Sequence, residues 1–236
     1  MLKRLSALLI ILCLSSCDEL QQVVNQLPQT SVGNGEIAAG LRQALNFGIE
    51  KQVSKLTQKD GFFRNELVKV VLPSELQKVD KTLRDIGLGN LADEGLKVLN
   101  RAAEDAVKEA TPIFVDAVKG ITFADARNIL LGEDRAATQY LEGRTSTALY
   151  GKFNPVIKNS LDKVGATQIW SNIIQKYNTI PLTNNVNPDL ADYVTQEALN
   201  GVFTMIAVEE KEIRNKVSSR TTDLLRKVFA LQDQKL

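Results

Sequence analysis

The chain has 236 residues, 44% hydrophobic and 24% charged, with 29 basic side chains against 28 acidic and no histidine. That composition is ordinary for a globular domain, and its balanced charge gives no electrostatic case for nucleic-acid binding, so no nucleic acid is expected as a partner. Lack of histidine excludes Ser-His-Asp and Cys-His catalysis and imidazole metal sites, and neither a GxxxxGK loop nor an EF-hand spacing is present. No cofactor and no metal is expected.

The chain opens with the basic pair Lys3 and Arg4, an apolar run from Leu5 to Leu14, and two small residues, Ser15 and Ser16. This order is that of an export signal; polarity returns at Asp18 and Glu19, well short of the roughly 20 apolar residues a membrane span requires. Leu14-Ser15-Ser16-Cys17 resembles the lipobox of bacterial lipoproteins, which implies cleavage before Cys17 and attachment of acyl chains to it. Two or more chains hold a protein to a bilayer far more firmly than one. Cys13 would leave with residues 1–16, so the mature chain keeps a single cysteine and forms no internal disulfide. In enteric bacteria an aspartate directly after that cysteine, here Asp18, resembles an inner-membrane retention signal; the choice of membrane stays open. Residues 17–35, rich in Gln and Asn and ending Gly33-Asn34-Gly35, read as a flexible tether, and residues 36–236 as one folded domain.

Apolar residues three and four apart dominate that domain. Ile37, Leu41, Leu45, Ile49 and Val53 form a first helical stripe. Leu67–Leu72 is the one extended stretch, without an evident strand partner. Ser74-Glu75-Leu76-Gln77 has the form of a capping box; Leu76, Val79, Leu83 and Ile86 continue from it until Gly87 and Gly89. The Ala-rich run Leu91–Lys119 carries Leu99, Ala103, Ala106, Ala110 and Ile113 on one side, and Pro112 should bend or divide it.

Thr122 and Asp125 open a short helix that Gly132 closes. Residues 133–141 and 145–164 read as two helices, the second interrupted by Pro155. Ile169, Trp170, Ile173, Ile174 and Tyr177 make a narrow apolar face. The final pair spans Asp189 to about Arg214 and Ser219 to about Gln232. The fold class expected is all-α, one domain of about eight to ten helices.

Charged residues set into apolar helix faces are the candidates for chemistry. Glu210 and Arg214 stand one turn apart beyond Phe203, Ile206 and Ala207. Asn100 and Glu104 share a face with Val107 and Phe114, while Arg101 can reach Asp105. Arg101, Glu104, Glu210 and Arg214 therefore either line a polar site within the bundle or form ion pairs between helices. A paired-carboxylate hydrolase would use Glu104 with Glu209 or Glu210. Phe62 and Phe63, after the turn at Asp60-Gly61, either cap the core or stand at the mouth of a pocket.

Several phrases together carry a resemblance: Asp60-Gly61-Phe62-Phe63, Asn100-Arg101-Ala102-Ala103-Glu104, Ala136-Ala137-Thr138-Gln139-Tyr140, and the run Ala198–Phe229. They are similar to the bacterial proteins that carry domain of unknown function 4197, over about residues 36–232. That resemblance implies a helical, exported or lipid-anchored protein of Gram-negative bacteria, with no activity to carry over. Val217 stands where the pattern has a proline. The function expected is that of a binding module facing the periplasm, anchored through Cys17, that captures a small or apolar ligand between helices. The alternatives are an adaptor in an envelope assembly, which meets its protein partner through an exposed apolar patch, and a carboxylate enzyme.

Overall fold

The computed structural model describes residues 32–74, 77–87, 89–179, 181–182 and 185–234. Cys17, the signal segment, the tether through residue 31, and Glu75 and Leu76 of the expected capping box lie outside the described residues, as do the side chains of Val79, Leu83, Leu91 and Ile173. The described elements are α1 (Asn34–Leu56), α2 (Gln77–Asp85), α3 (Gly89–Val107), α4 (Ala110–Lys119), α5 (Phe123–Leu130), α6 (Ala136–Asp162), α7 (Ala166–Tyr177), α8 (Leu190–Asn215), a 3₁₀ turn (Val217–Ser219) and α9 (Asp223–Asp233). Among the described residues there is no strand, so the domain is all-α.

α8 sits at the centre, against α1, α3, α6 and α7, with buried residues from Leu190 to Arg214. Gln196, Asn200, Val208, Lys211 and Asn215 leave it one exposed stripe, and the wide buried face is that of a helix packed by several neighbours. α1 buries Ile37, Leu41, Leu45, Ile49 and Val53, the stripe its sequence marks, and begins at Asn34, so Asn34 and Gly35 belong to its first turn rather than to the tether. Gly40 of α1 lies against α9: a Cβ there would stand 2.7 Å from Val228 Cγ2. Phe114 of α4 meets Phe203 of α8 edge to face at 5.9 Å.

Pro112 falls in the first turn of α4, where its missing N–H breaks no helical bond, and the Ala-rich run divides just before it. α5 carries the reciprocal capping box of Thr122 and Asp125. By contrast, residues 136–162 form one helix with Pro155 inside it, not two. Leu141, Thr145, Leu149, Phe153, Ile157 and Leu161 are all buried at four-residue spacing, and a break near Gly143 would split that face. Burial outweighs the single ladder bond lost at the proline. α9 starts at Asp223 rather than Ser219, because Thr222 accepts the Leu225 N–H as its N-cap.

Residues 57–73 cross the domain without regular structure, and buried polar side chains of α3 hold them. Asn100 accepts from the Val70 N–H and donates to the Val70 carbonyl, both at 2.8 Å. It thereby takes the place of a neighbouring strand beside Val70; of the stretch Leu67–Leu72, expected to be extended, Leu67 and Val68 lie in a turn and residues 69–72 carry no regular structure. Gly61 is obligatory at the turn after α1, since a Cβ would come within 2.4 Å of the Lys55 carbonyl.

Gly40→Ala is expected to lower stability by about 1–3 kcal/mol, the usual range for overpacking against a stiff β-branched neighbour. Urea unfolding followed by circular dichroism checks this; an unchanged midpoint would show that α9 shifts freely on α1.

Candidate functional site

The four charged residues marked by the sequence fall into two separate pairs. On α8, Glu210 Oε1 accepts from the Ala137 N–H at 2.9 Å, and Oε2 accepts from the Thr138 N–H and hydroxyl at 2.8 Å. These amides belong to the first turn of α6, where helical geometry leaves N–H groups without partners. Arg214, one turn later, donates through Nη2 to the Ile129 carbonyl at 2.8 Å and through Nη1 to the Leu130 carbonyl at 3.0 Å, at the end of α5. Its Nε donates to Glu210 Oε1 at 2.9 Å, and Nη1 also reaches Gln232. The carboxylate thus meets the positive end of one helix dipole, and the guanidinium the negative end of another.

The second pair lies between α3 and the crossing segment. Glu104 accepts from the Phe62 N–H at 3.2 Å and from Arg101, which also donates to Asp60 at 2.7 Å. Arg101 therefore pairs with Glu104 and Asp60 instead of Asp105, which takes Lys108. The turn at Asp60, with φ of 68°, brings its carboxylate across to α3, and that geometry outweighs the four-residue spacing along the helix. Phe62 is wholly buried, and Phe63 is half-buried with Lys69 Nζ 4.7 Å above its ring. No residue is common to the two sets of bonds. Glu210 accepts twice on each oxygen, which takes up the acceptor directions that chemistry would need, and Glu104 is buried against the Phe62 amide and Arg101.

Glu209 differs from its neighbour. Rotated about 100° around α8, it faces α1, where Lys51 Nζ lies 2.6 Å from Oε1 and Gln52 Nε2 donates to Oε2 at 2.6 Å. Gly48 makes room for it: a Cβ there would stand 3.2 Å from Glu209 Cγ. The Lys51–Glu209 pair opens onto a groove of about 530 Å³ between α1, α8 and the 217–222 turn. Phe47, Ile213 and Leu225 supply its apolar surface, and Ser218, Ser219 and Thr221 its hydroxyls. Phe47 is 44% exposed. Behind it, Leu41, Leu45, Gly48, Glu210 and Arg214 surround an internal cavity of about 30 Å³. That is room for a water molecule and not for a ligand.

Sequence reasoning reached Glu209 only as a carboxylate and did not mark Phe47, Lys51 or the hydroxyls of the turn. Phe47 carried a usable signal, an aromatic residue out of phase with the stripe through Leu45 and Ile49. Among the described residues no group of histidine, cysteine, aspartate and glutamate has the arrangement of a metal site, and no helix is long and apolar enough to cross a membrane.

The family described as "Protein of unknown function (DUF4197)" matches residues 31–230. The chain belongs to this family. Its match takes in α1 through most of α9, and with them both ion pairs and every residue of the groove. No curated protein and no solved structure matches the chain.

Removing one member of the Glu210–Arg214 pair leaves the other buried and uncompensated, so Glu210→Gln is expected to cost about 3–5 kcal/mol. Adding Arg214→Met should cost less than the sum of the two single changes, which a double-mutant cycle in urea measures. Also on α8, Glu197 is half-buried, and burial pushes its carboxyl above the ordinary value. A folded-state value above the unfolded one means that stability falls as pH rises through that window, and the loss persists at neutral pH. Glu197→Gln should accordingly raise Tm at pH 7 and give no gain below about pH 4, where glutamate is protonated in either state.

Proposed function

We propose that this protein is a lipoprotein facing the periplasm, anchored in a membrane through Cys17, whose helical domain binds a small ligand at its surface. The groove carries the reading: its volume of about 530 Å³ falls within the range of small-molecule sites. It also combines apolar walls with a few convergent polar groups, the usual make-up of such sites. The space beneath the groove has the volume of a single water and offers a ligand no interior position there. On this reading the ligand lies on the face formed by α1, α8 and the 217–222 turn rather than in the bundle interior, where the sequence suggested it. Binding is favoured over catalysis because the groove lining holds a single carboxylate, Glu209, already paired with Lys51, while Glu104 and Glu210 are buried against main-chain amides.

The anchor and the ligand are tested separately. Cys17→Ser should move the protein from the detergent phase to the aqueous phase on Triton X-114 partition; continued partition into detergent would refute lipid attachment at that residue. Native mass spectrometry of the mature chain carrying Cys17→Ser, exported to the periplasm, should show added mass that is lost on denaturation. Phe47→Asp in the same background should abolish that mass. Retention of the mass by the Phe47 variant would place the ligand elsewhere.

A further inference from the structure

Resting on the reading of the groove as a binding site, we propose that its ligand is a neutral saccharide. A sugar ring would lie with its C–H face on Phe47 and its hydroxyls on the Lys51–Glu209 pair and the serines of the turn. The charge of the lining is the first argument. Its one cation and one anion bond each other at 2.6 Å, so the groove offers no net charge to an ionic ligand. An anion that drew Lys51 away would leave Glu209, only 7% exposed, without its counter-charge. A cation competing for Glu209 would meet Lys51 beside it.

A pure hydrocarbon fits no better, because it would strip water from an ammonium, a carboxylate and three hydroxyls and return no hydrogen bond. What satisfies such a surface is a molecule with an apolar face and an edge of groups that both donate and accept. Lys51 has N–H donors beyond the one spent on Glu209, and the carboxylate has free lone pairs on both oxygens. With donor and acceptor this close, one sugar hydroxyl can accept from Lys51 while it, or its vicinal neighbour, donates to Glu209. Ser218, Ser219 and Thr221 can take either part at the opposite wall.

The acceptor is also held ready. Gln52, 2% exposed, fixes Glu209 Oε2 from behind, and the missing side chain of Gly48 lets the carboxylate lie close to α1. Supporting residues of this kind keep a polar group in its binding geometry before the ligand arrives. Phe47 supplies the rigid, partly exposed aromatic platform.

The test is an NMR titration of the mature chain carrying Cys17→Ser with two sets of probes. The first is neutral: triacetylchitotriose, cellotriose and maltotriose. The second is not: the deacetylated chitosan trimer, a cation, and decanoate, an apolar anion. At least one neutral trisaccharide is expected to give saturable shifts at Phe47, Ser218 and Leu225, with the deacetylated trimer and decanoate at least tenfold weaker. Phe47→Ala should weaken that binding at least tenfold and Lys51→Met at least fivefold, in variants whose remaining amide spectrum is unchanged. Binding of decanoate or the cationic trimer at these residues in preference to the neutral sugars would overturn the saccharide and leave the groove as a site. Failure of every neutral sugar to shift groove resonances would overturn the saccharide and leave the groove to the native mass spectrum, whereas neutral sugar binding that Phe47→Ala does not weaken would overturn the groove as its site.

Discussion

Two side chains on a single turn of the central helix tie down a corner of the bundle. Glu210 and Arg214 stand four residues apart on α8, bond each other, and reach the start of α6 and the end of α5 respectively. The α5–α6 connection is short, and Gly132 lies within it because a Cβ would meet Ala136 and the Asn128 carbonyl at 2.8 Å. Two helix ends brought this close present main-chain N–H and carbonyl groups that no helical bond satisfies. The ion pair satisfies them where water is excluded, and each charge meets the helix terminus of opposite sign. Its desolvation is offset by the number of bonds each partner makes rather than by the attraction between the two alone.

The same device recurs elsewhere in the molecule. Arg220 donates to the Ile213 and Arg214 carbonyls at the end of α8 and holds both oxygens of Asp233, which the guanidinium keeps below the usual carboxylate range. Asn100 substitutes for a strand beside Val70, and Glu104 holds the Phe62 amide. Buried polar groups in this protein mostly position main chain. That division of labour explains why charged residues on apolar faces, which look like reactive groups in one dimension, are occupied in three.

Glu209 shows how narrow the difference is. It adjoins Glu210, yet the rotation of one residue along α8 turns it from the α5–α6 corner to α1. There its partners are side chains rather than helix ends, and one of them, Lys51, is half-exposed. The groove owes its position to the same packing: α8 and α9 both lie on α1, and the turn between them adds hydroxyls to the lining that Phe47 shares.

The all-α class, the first stripe, the division before Pro112 and the Thr122 capping box were legible in the sequence, because each depends on residues within a turn or two of one another. So was the pairing of Glu210 with Arg214, which the four-residue spacing on one helix face allows. The continuity of α6 through Gly143 and Pro155 was not, since a local cost was set against a buried face that only neighbouring helices create. Arg101 could be given a partner by spacing, and the wrong one, because Asp60 reaches it from 41 residues away in sequence. The groove was beyond reach for the same reason. Phe47 lies far in the chain from Glu209 and Ser218, and their meeting is decided by which helices share the core, a property of packing that no local pattern encodes.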